Sequence, residues 1–224
     1  MPHRLTLKAI QPVTHDVNHL VFDKPEGFSF TPGQATDFAL DQDGWREEKR
    51  PFTFTSLPHE DSLQFVIKSY PDHDGVTTRI ADLKPGDTVL IDEPWGAIED
   101  KGDGVFIAGG AGVTPFISIL RKKLHEKGTL DGNTLIFSNK TEQDIVLREE
   151  FEAMDGLRVH WTVTEEKSSP LARGMIDRTM LADFVKAQTD FCYVCGPDPM
   201  IEAIRGELEY IDVAPDRIVT EDLD

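Results

Sequence analysis

Cysteine and basic residues are scarce in this chain of 224 residues, and each scarcity excludes a class of protein. Only Cys192 and Cys195 occur, so a disulfide framework is excluded, and so is an internal iron–sulfur cluster with four thiolate ligands. Lys and Arg number 23 against 41 Asp and Glu, which gives a formal net charge of −18. Because binding to phosphate backbones needs a basic surface, this charge argues against nucleic acids and anionic membranes as partners.

Long apolar runs and metal-ligand spacings are missing as well. No segment approaches the ~20 residues of a membrane-spanning helix, and the first ten residues lack the apolar core of a signal peptide. We therefore expect a cytoplasmic protein with no membrane association. The seven histidines are scattered, so no metal site is predicted. The C-x-x-C spacing suggests a redox dithiol, but residues three apart on a strand face opposite sides, which argues against one.

The first 99 residues carry short segments in which β-branched or aromatic residues recur at every second position. Turn signals rich in Gly, Pro and Asp separate these segments. They are 5–10, 17–23, 35–40, 51–56, 63–70 and 88–93. Closely spaced strands of this kind predict a small antiparallel barrel.

One stretch between these strands has helical spacing instead. Val76, Ile80 and Leu83 recur at intervals of three or four, which predicts a short helix beginning near Gly75 or Val76. The backbone of Gly75 and the hydroxyl groups of Thr77 and Thr78 would then lie at the positive end of the helix. They form a candidate phosphate site.

The segment 50–56 combines a fixed cation, aromatic side chains and hydroxyl groups. Alternation predicts Arg50, Phe52 and Phe54 on one face of a strand, and Thr53 on the other. One interpretation is a cofactor strand, with arginine on a pyrophosphate, an aromatic ring against a planar ring and a hydroxyl group on a ring nitrogen. The other is an ordinary barrel strand with a solvated arginine.

The pattern changes after residues 100–104. Apolar strands now alternate with helical segments at 115–127, 147–154, 176–187 and 199–210. This alternation predicts a doubly wound, mainly parallel sheet, with ligands at the carboxyl ends of its strands. We place the domain boundary near residue 100, between domains 1–99 and 100–224.

The stretch 105–120 predicts a buried strand, a glycine turn and the start of a helix. Thr114 is a suitable N-cap, and Pro115 is tolerated at the first helical position. The spacing Gly110-x-Gly112-x-x-Pro115 is close to a dinucleotide fingerprint, in which backbone N–H groups and the helix dipole face a phosphate. The alternative is an ordinary tight β–α turn.

A second strand end carries Cys195-Gly196-Pro197, which we expect to face the same crevice as the glycine turn. The alternative for Cys195 is a small buried apolar residue. Lys140 and residues 164–167 follow two further strands, where the adenosine half of a dinucleotide commonly lies.

Five motifs, taken in order, resemble those of the ferredoxin–NADP reductase family across nearly the whole chain. They are Pro32-Gly33-Gln34, Arg50-Pro51-Phe52-Thr53, Gly75-Val76-Thr77-Thr78, Gly109-Gly110-Ala111-Gly112-Val113-Thr114-Pro115, and Cys195-Gly196-Pro197 followed by Pro199-Met200. Pro94-Trp95-Gly96 fits as well. The resemblance implies an FAD-binding antiparallel β-barrel in 1–99, followed by an NAD(P)-binding α/β domain in 100–224.

The resemblance also implies roles for individual residues. Arg50 matches the arginine on the flavin pyrophosphate, Phe52 stands where the family usually has tyrosine against the isoalloxazine, and Thr53 matches the hydroxyl partner of flavin N5. Cys195 matches the cysteine near nicotinamide C4, and Glu221 resembles an acidic residue that approaches the flavin. The implied catalytic residues are Thr53, Cys195 and Glu221. The implied cofactor-binding residues are Arg50, Pro51, Phe52, Thr53, Gly75, Val76, Thr77, Thr78, Gly110, Gly112, Val113, Thr114, Pro115, Cys195, Gly196 and Pro197.

The chain departs from the family's pattern at Leu223-Asp224, which offers no terminal aromatic residue to cover the flavin. The gating of the nicotinamide is therefore left open. No C-x4-C-x2-C run is present, so no fused plant-type ferredoxin domain is expected.

The activity implied is that of an FAD-dependent NAD(P)H oxidoreductase that passes electrons to a separate acceptor such as ferredoxin or flavodoxin.

 Free flavin or another small molecule is the alternative acceptor. Lys140 and Lys167 would suit the 2′-phosphate of NADPH, whereas Glu165 and Glu166 would suit the ribose diol of NADH, and we expect NADH. Arg46, Lys49 and Arg50, or Arg121, Lys122 and Lys123, offer a basic docking patch, or else solvated faces. A monomer is expected, and a non-catalytic flavin- or nucleotide-binding module is the alternative from another class.

Overall fold

Six antiparallel strands form the first half of the molecule. The computed structural model describes residues 2–70, 75–96 and 98–221. The strands are β1 (His3–Pro12), β2 (Val17–Asp23), β3 (Ala35–Leu40), β4 (Arg50–Thr53), β5 (Ser62–Lys68) and β6 (Thr88–Ile91), and helix α1 (Val76–Ala81) precedes β6. Their order in the sheet is β4-β3-β6-β1-β2-β5. The predicted antiparallel barrel and the start of its short helix are therefore confirmed.

The sheet nearly closes on itself just after β4. The strand predicted over 51–56 ends at Thr53, and the chain then changes partners. The Phe54 amide donates to the carbonyl of Gln34 at 3.1 Å, while the Thr55 amide donates to the carbonyl of Gln64 on β5 at 2.8 Å. Phe54 is fully buried and its ring lies 5.2 Å from that of Phe65. This corner brings the end of β4 to the outside of the barrel, next to the second half.

The second half is a parallel sheet covered by helices. Its strands are β7 (Gly104–Gly109), β8 (Thr134–Asn139), β9 (Arg158–Val163), β10 (Ala172–Arg173), β11 (Phe191–Cys195) and β12 (Ile218–Thr220). Its helices are α2 (Thr114–Lys127), α3 (Arg148–Ala153), α4 (Arg178–Phe184) and α5 (Asp198–Tyr210). The strand order is β10-β9-β8-β7-β11-β12. The predicted doubly wound sheet is confirmed; the two-residue β10 lies in a polar loop where no strand was predicted.

The central strand β7 buries side chains on both of its faces. Phe106 packs in the core on the side of α2, whereas Val105 and Ile107 pack in the core on the side of α5. On the neighbouring β11, Cys195 belongs to the first core and Cys192 to the second. Both cysteines are free, in agreement with the prediction that they face opposite sides of the strand.

Contacts between buried groups join the two halves. The Gly33 amide of the barrel donates to Ser118 Oγ of α2 at 3.1 Å, and Arg121 Nη1 donates to the Thr55 carbonyl at 2.7 Å. Ile98 is 1% exposed and packs in the core of the second half. These contacts fix one wall of the candidate site against the other. The exact domain boundary near residue 100 stays a prediction.

A buried lysine holds the segment that links the halves. Lys123 of α2 is 2% exposed, and its Nζ lies 3.0 Å from Asp100 Oδ1, 3.0 Å from Asp103 Oδ1 and 3.0 Å from the Gly102 carbonyl. Burial opposes ionisation of Asp103, but hydrogen bonds from Lys127 and Lys123 lower its pKa to about 2. Within the described ranges, no helix combines the length and apolar character needed to cross a bilayer.

Candidate active site

Two adjoining cavities lie where the barrel meets the carboxyl ends of β7 and β11. The first cavity, of about 420 Å³, is lined by both halves, and the second, of about 590 Å³, is lined mainly by the parallel-sheet half. The residues that line both are Lys68, Tyr70, Ala111, Gly112 and Cys195. The two cavities therefore share one wall, and ligands bound in them would meet there.

The strand order explains the position of this shared wall. Strand β7 is flanked by β8 on one side and by β11 on the other, and Ala108 lies opposite Cys195 in the ladder. Chain connections run away from β7 in both directions, so a crevice opens at the carboxyl ends of β7 and β11. The glycine turn and Cys195 meet in that crevice, as expected from the sequence.

The glycine turn differs in one detail from the prediction. A 3₁₀ turn, Gly110–Val113, precedes α2, and the N-cap is Val113 rather than Thr114. Thr114 already has helical dihedral angles, and its hydroxyl group donates to the Ala111 carbonyl at 3.0 Å. The N-cap assignment of Thr114 is therefore wrong, because the tight turn begins the helical winding before the threonine.

Two glycines at this turn are closely packed, Gly112 against backbone and Gly109 against a methionine side chain. A Cβ at Gly112 would lie 2.4 Å from the Cys195 carbonyl oxygen, and a Cβ at Gly109 would lie 2.3 Å from Met200 Sδ. Gly110 differs: its φ is +53°, and a Cβ there would meet no atom within 4 Å. Its open side borders the second cavity, so a ligand can approach the backbone closely at that point.

Most of the residues expected at the site do line the cavities. In the first cavity these are Pro51, Phe52, Thr53, Thr77, Gly112, Thr114, Cys195 and Glu221. In the second they are Gly110, Gly112, Cys195, Gly196 and Pro197. Among the described residues, the structure thus brings together the carboxyl ends of β7 and β11, strand β4 and the end of β12.

The other expected residues lie elsewhere. Val76, Val113 and Pro115 are buried in the cores, where they support the turns without facing a cavity. Gly75 and Thr78 are not among the lining residues of either cavity, and Thr78 Oγ1 donates to the Tyr70 carbonyl at 2.8 Å. The Arg50 side chain is 53% exposed, and its Nη1 donates to the Lys49 carbonyl at 2.6 Å. Leu223-Asp224 lies outside the described residues.

Three of the lining side chains that were not assigned to the site from the sequence are polar or aromatic and belong to the barrel half. Lys68 ends β5, and its Nζ lies 2.8 Å from Asp16 Oδ2. Tyr70 and Trp95 are large aromatic residues that are 48% and 46% exposed. A polar or aromatic residue just beyond a strand that ends at the domain junction was the available signal. The spacing of the motifs gave no information about which of these ends would meet.

Burial shifts the pKa of Cys195 on the shared wall and of Glu221 in the first cavity. It raises the pKa of the Cys195 thiol, and the nearby Glu221 carboxylate raises it further, so the sulfur is a neutral thiol at neutral pH. Burial also raises the pKa of Glu221. A neutral thiol is a poor nucleophile. Cys195 is therefore suited to contact a ligand ring, and the raised pKa of Glu221 makes its carboxyl group bind a proton more tightly than an exposed glutamate does.

The cavities fit a flavin and a nicotinamide dinucleotide by shape and chemistry. The first has planar apolar surfaces at Phe52 and Trp95 and a buried threonine, Thr53, which suits a flat ring with polar edges. The second has the open backbone of Gly110 near the amino end of α2, which suits a diphosphate. Asn139 also lines the second cavity, and its side-chain amide atoms are buried with no hydrogen-bond partner among the described residues.

Comparison with known proteins decides the family. Residues 4–99 match the oxidoreductase FAD-binding domain, and residues 106–206 match the oxidoreductase NAD-binding domain. The chain belongs to the ferredoxin reductase-like family of FAD- and NAD-binding oxidoreductases. Its two matched domains are those that bind FAD and a nicotinamide dinucleotide in flavoprotein oxidoreductases.

Members of this family that resemble the chain reduce different partners. NADH-cytochrome b5 reductase 2 of Mycosarcoma maydis is 33% identical over 90% of this chain and 63% of its own length. The reductase component of propane 2-monooxygenase from Mycolicibacterium goodii is 28% identical over 96% of this chain and 66% of its own length. The CS-b5R domains of human Ncb5or, solved in an NAD⁺ form, are 25% identical with a TM-score of 0.86, over 98% of this chain and 69% of that chain. The chain thus spans about two thirds of the length of these proteins.

Proposed function

We propose that this reductase takes a hydride from NADH and delivers single electrons to a separate acceptor. The observation that carries the proposal is the shared wall, where Cys195 and Gly112 line both cavities. A dinucleotide along the glycine turn and a flavin against β4 would meet across it. When bound, FAD accepts two electrons as a hydride at N5 and releases them one at a time.

The chain's own residues bind and orient the two rings. We assign the Thr53 hydroxyl group to the flavin N5 region, Phe52 to the ring face, and Arg50 to the pyrophosphate. The arginine would have to leave the Lys49 carbonyl, which lies 2.6 Å from its Nη1, and its exposed position allows this movement. Cys195 contacts the nicotinamide near C4 and excludes water, while Glu221 holds a proton at its carboxyl oxygen.

NADH is the cosubstrate that the described residues favour over NADPH. Thr141, Glu165, Glu166 and Lys167 border a surface hollow beyond the ends of β8 and β9. Lys140 Nζ lies 3.4 Å from Glu165 Oε1, so the lysine is already opposed by a carboxylate. Carboxylates accept hydrogen bonds from a ribose diol and repel a 2′-phosphate. NADH-cytochrome b5 reductases among the relatives are compatible with this preference.

Anaerobic titration tests the proposal. Purified holoprotein should be yellow and should bleach on addition of NADH, with a kcat/KM at least tenfold higher than for NADPH. Yellow protein that neither nucleotide bleaches would contradict the hydride step. A preference for NADPH by two orders of magnitude would contradict the nucleotide assignment alone. If turnover is faster with free flavin than with protein acceptors, the acceptor is a small molecule rather than a carrier protein.

We also propose that the protein is monomeric and cytoplasmic. Size-exclusion chromatography tests whether it is a monomer.

A further inference from the structure

Carboxylates lie on the barrel strands and loops near Pro51, a residue that lines the first cavity. Asp37 on β3 lies opposite Pro51 on β4, and Pro51 lines that cavity. The Asp92 amide, just past β6, donates to the Asp37 carbonyl at 3.0 Å. We define the acidic rim as Asp37, Glu47, Glu48, Asp92 and Glu93. It follows the edge of the barrel sheet that ends at β4.

The cations within this rim are opposed by its carboxylates. Lys49 Nζ lies 2.6 Å from Asp92 Oδ2, and that hydrogen bond, with further attraction from Asp37 and Glu47, raises the pKa of Lys49. Arg50 Nη2 lies 3.9 Å from Glu48 Oε2. The rim thus contains five carboxylates and two cations, Lys49 and Arg50, and Glu93 Oε1 lies 3.0 Å from His3 Nε2, so the rim keeps net negative charge at neutral pH.

The basic docking patch suggested by the sequence is not formed by the structure. Arg46 is bound by Asp41 at 2.7 Å and by Asp43 at 2.6 Å. Arg121 is bound by Glu150 at 2.6 Å, and Lys122 by Glu126 at 3.1 Å. Lys123 is buried against Asp100 and Asp103. Each cation that the sequence offered for an acidic carrier is therefore paired within the chain.

The rim also has an apolar contact surface at its centre. Trp95 lines the first cavity while 46% of it remains exposed, and its backbone pairs with Ala35 at the start of β3. Pro51 is exposed beside it on the edge strand β4. An aromatic ring within a charged border is the composition of a protein contact site with a desolvated centre and a polar edge.

We propose that the acidic rim, with Trp95 and Pro51 at its centre, docks an electron-carrier protein whose own redox centre is surrounded by basic residues. This inference rests on the proposed function, and it adds that the electron acceptor carries positive charge around its redox centre. Opposite charge steers the encounter of such a carrier and accelerates association by ~10 to 10³-fold at low salt. Oxidation of one NADH to NAD⁺ then reduces two ferric haems by one electron each and releases one proton.

Stopped-flow reduction of two carriers of opposite charge tests the inference. The probes are mitochondrial cytochrome c, which is basic around its haem, and a plant-type ferredoxin, which is acidic; each is mixed with NADH-reduced holoprotein. The second-order rate constant for cytochrome c should exceed that for ferredoxin at 20 mM NaCl and fall at least tenfold by 300 mM. The triple variant Glu47→Gln, Glu48→Gln, Glu93→Gln should lower the cytochrome c rate constant at least threefold at low salt.

A matched variant on a distant face controls for the general charge of the protein. Glu202→Gln, Glu209→Gln, Asp216→Asn removes three exposed carboxylates from α5 and the following loop, and it should leave the rate constant within twofold of wild type. A faster reaction with ferredoxin at low salt, salt-independent rates, or equal losses in both triple variants would overturn the inference. Flavin reduction by NADH is measured separately, and its failure would instead overturn the proposed function.

Discussion

The two walls of the candidate active site are built in different ways. On the parallel-sheet side, close packing fixes the glycine turn, because a Cβ at Gly112 would meet the Cys195 carbonyl oxygen and a Cβ at Gly109 would meet the Met200 side chain. On the barrel side, the side chain of Arg50 is half exposed and bonded to the neighbouring Lys49 carbonyl. One wall is complete without a ligand, whereas the other depends on a side chain that must move. Substitutions on each wall test this difference, and the largest effect is expected at the glycine turn.

A methyl group at Gly112 should disrupt the shared wall. The Cβ of Gly112→Ala would lie 2.4 Å from the Cys195 carbonyl oxygen, so two backbone segments must move apart. Because a displacement of 1 Å at reacting groups costs ~10²-fold in rate, we expect hydride transfer from NADH to slow by about that factor. Stopped-flow absorbance of the flavin measures it. Gly206→Ala in α5, where a Cβ meets open space, is the control and should retain the wild-type rate.

Removal of the Arg50 side chain should weaken flavin binding and leave the glycine turn unchanged. A charge-assisted hydrogen bond contributes about 1.5–3 kcal/mol, so Arg50→Ala should raise the Kd of FAD by ~10 to 100-fold. Arg46→Ala is the matched control, since Arg46 is exposed nearby but bound to Asp41 and Asp43. Fluorescence titration of apoprotein with FAD provides the measurement. Retention of FAD like that of wild type in Arg50→Ala would contradict the pyrophosphate assignment.

The two cysteines allow a comparison of the cavity with the core. Cys195 lines both cavities, whereas Cys192 is fully buried on the other face of β11. We expect Cys195→Ser to slow hydride transfer by about tenfold at little cost in stability. Cys192→Ser should leave the transfer rate unchanged and lower the free energy of unfolding by about 1–3 kcal/mol, because it buries a hydroxyl group among apolar side chains. The opposite pattern would place the functional thiol on the other face of β11.

The smallest effect concerns the pH dependence contributed by Glu221. Its folded-state pKa lies above the ordinary 4.5, so the folded state binds this proton more tightly than the unfolded state does. Stability should therefore fall as pH rises from 4.5 through the folded-state pKa, and Glu221→Gln should remove that fall. Thermal unfolding of the holoprotein between pH 4 and 7.5 measures the difference in Tm, which we expect to be about 2 °C at the upper end. A variant whose Tm falls in parallel with wild type would contradict the buried position of the carboxyl group.

Patterns along the chain were sufficient for the fold and for the backbone parts of the site. Alternation in the first half and strand–helix repetition in the second predicted the barrel and the parallel sheet. The glycine spacing at Gly110 and Gly112 and the Cys195-Gly196-Pro197 turn predicted the crevice, because these motifs act through local backbone geometry. Arg50 is different, since its side chain has several partners of similar energy within reach, and sequence alone did not show which one it takes.

The sequence by itself determined where strands, helices and turns form, since hydrophobic periodicity and the conformations open to glycine and proline are local properties. Only the tertiary structure decided that Lys68, Tyr70 and Trp95 border the cavities. It also decided that every cation of the suggested basic patches has an acidic partner, because such pairing depends on residues far apart in the chain, such as Lys49 and Asp92. Charge at a surface follows from which strands become neighbours, and strand order is a property of the whole fold.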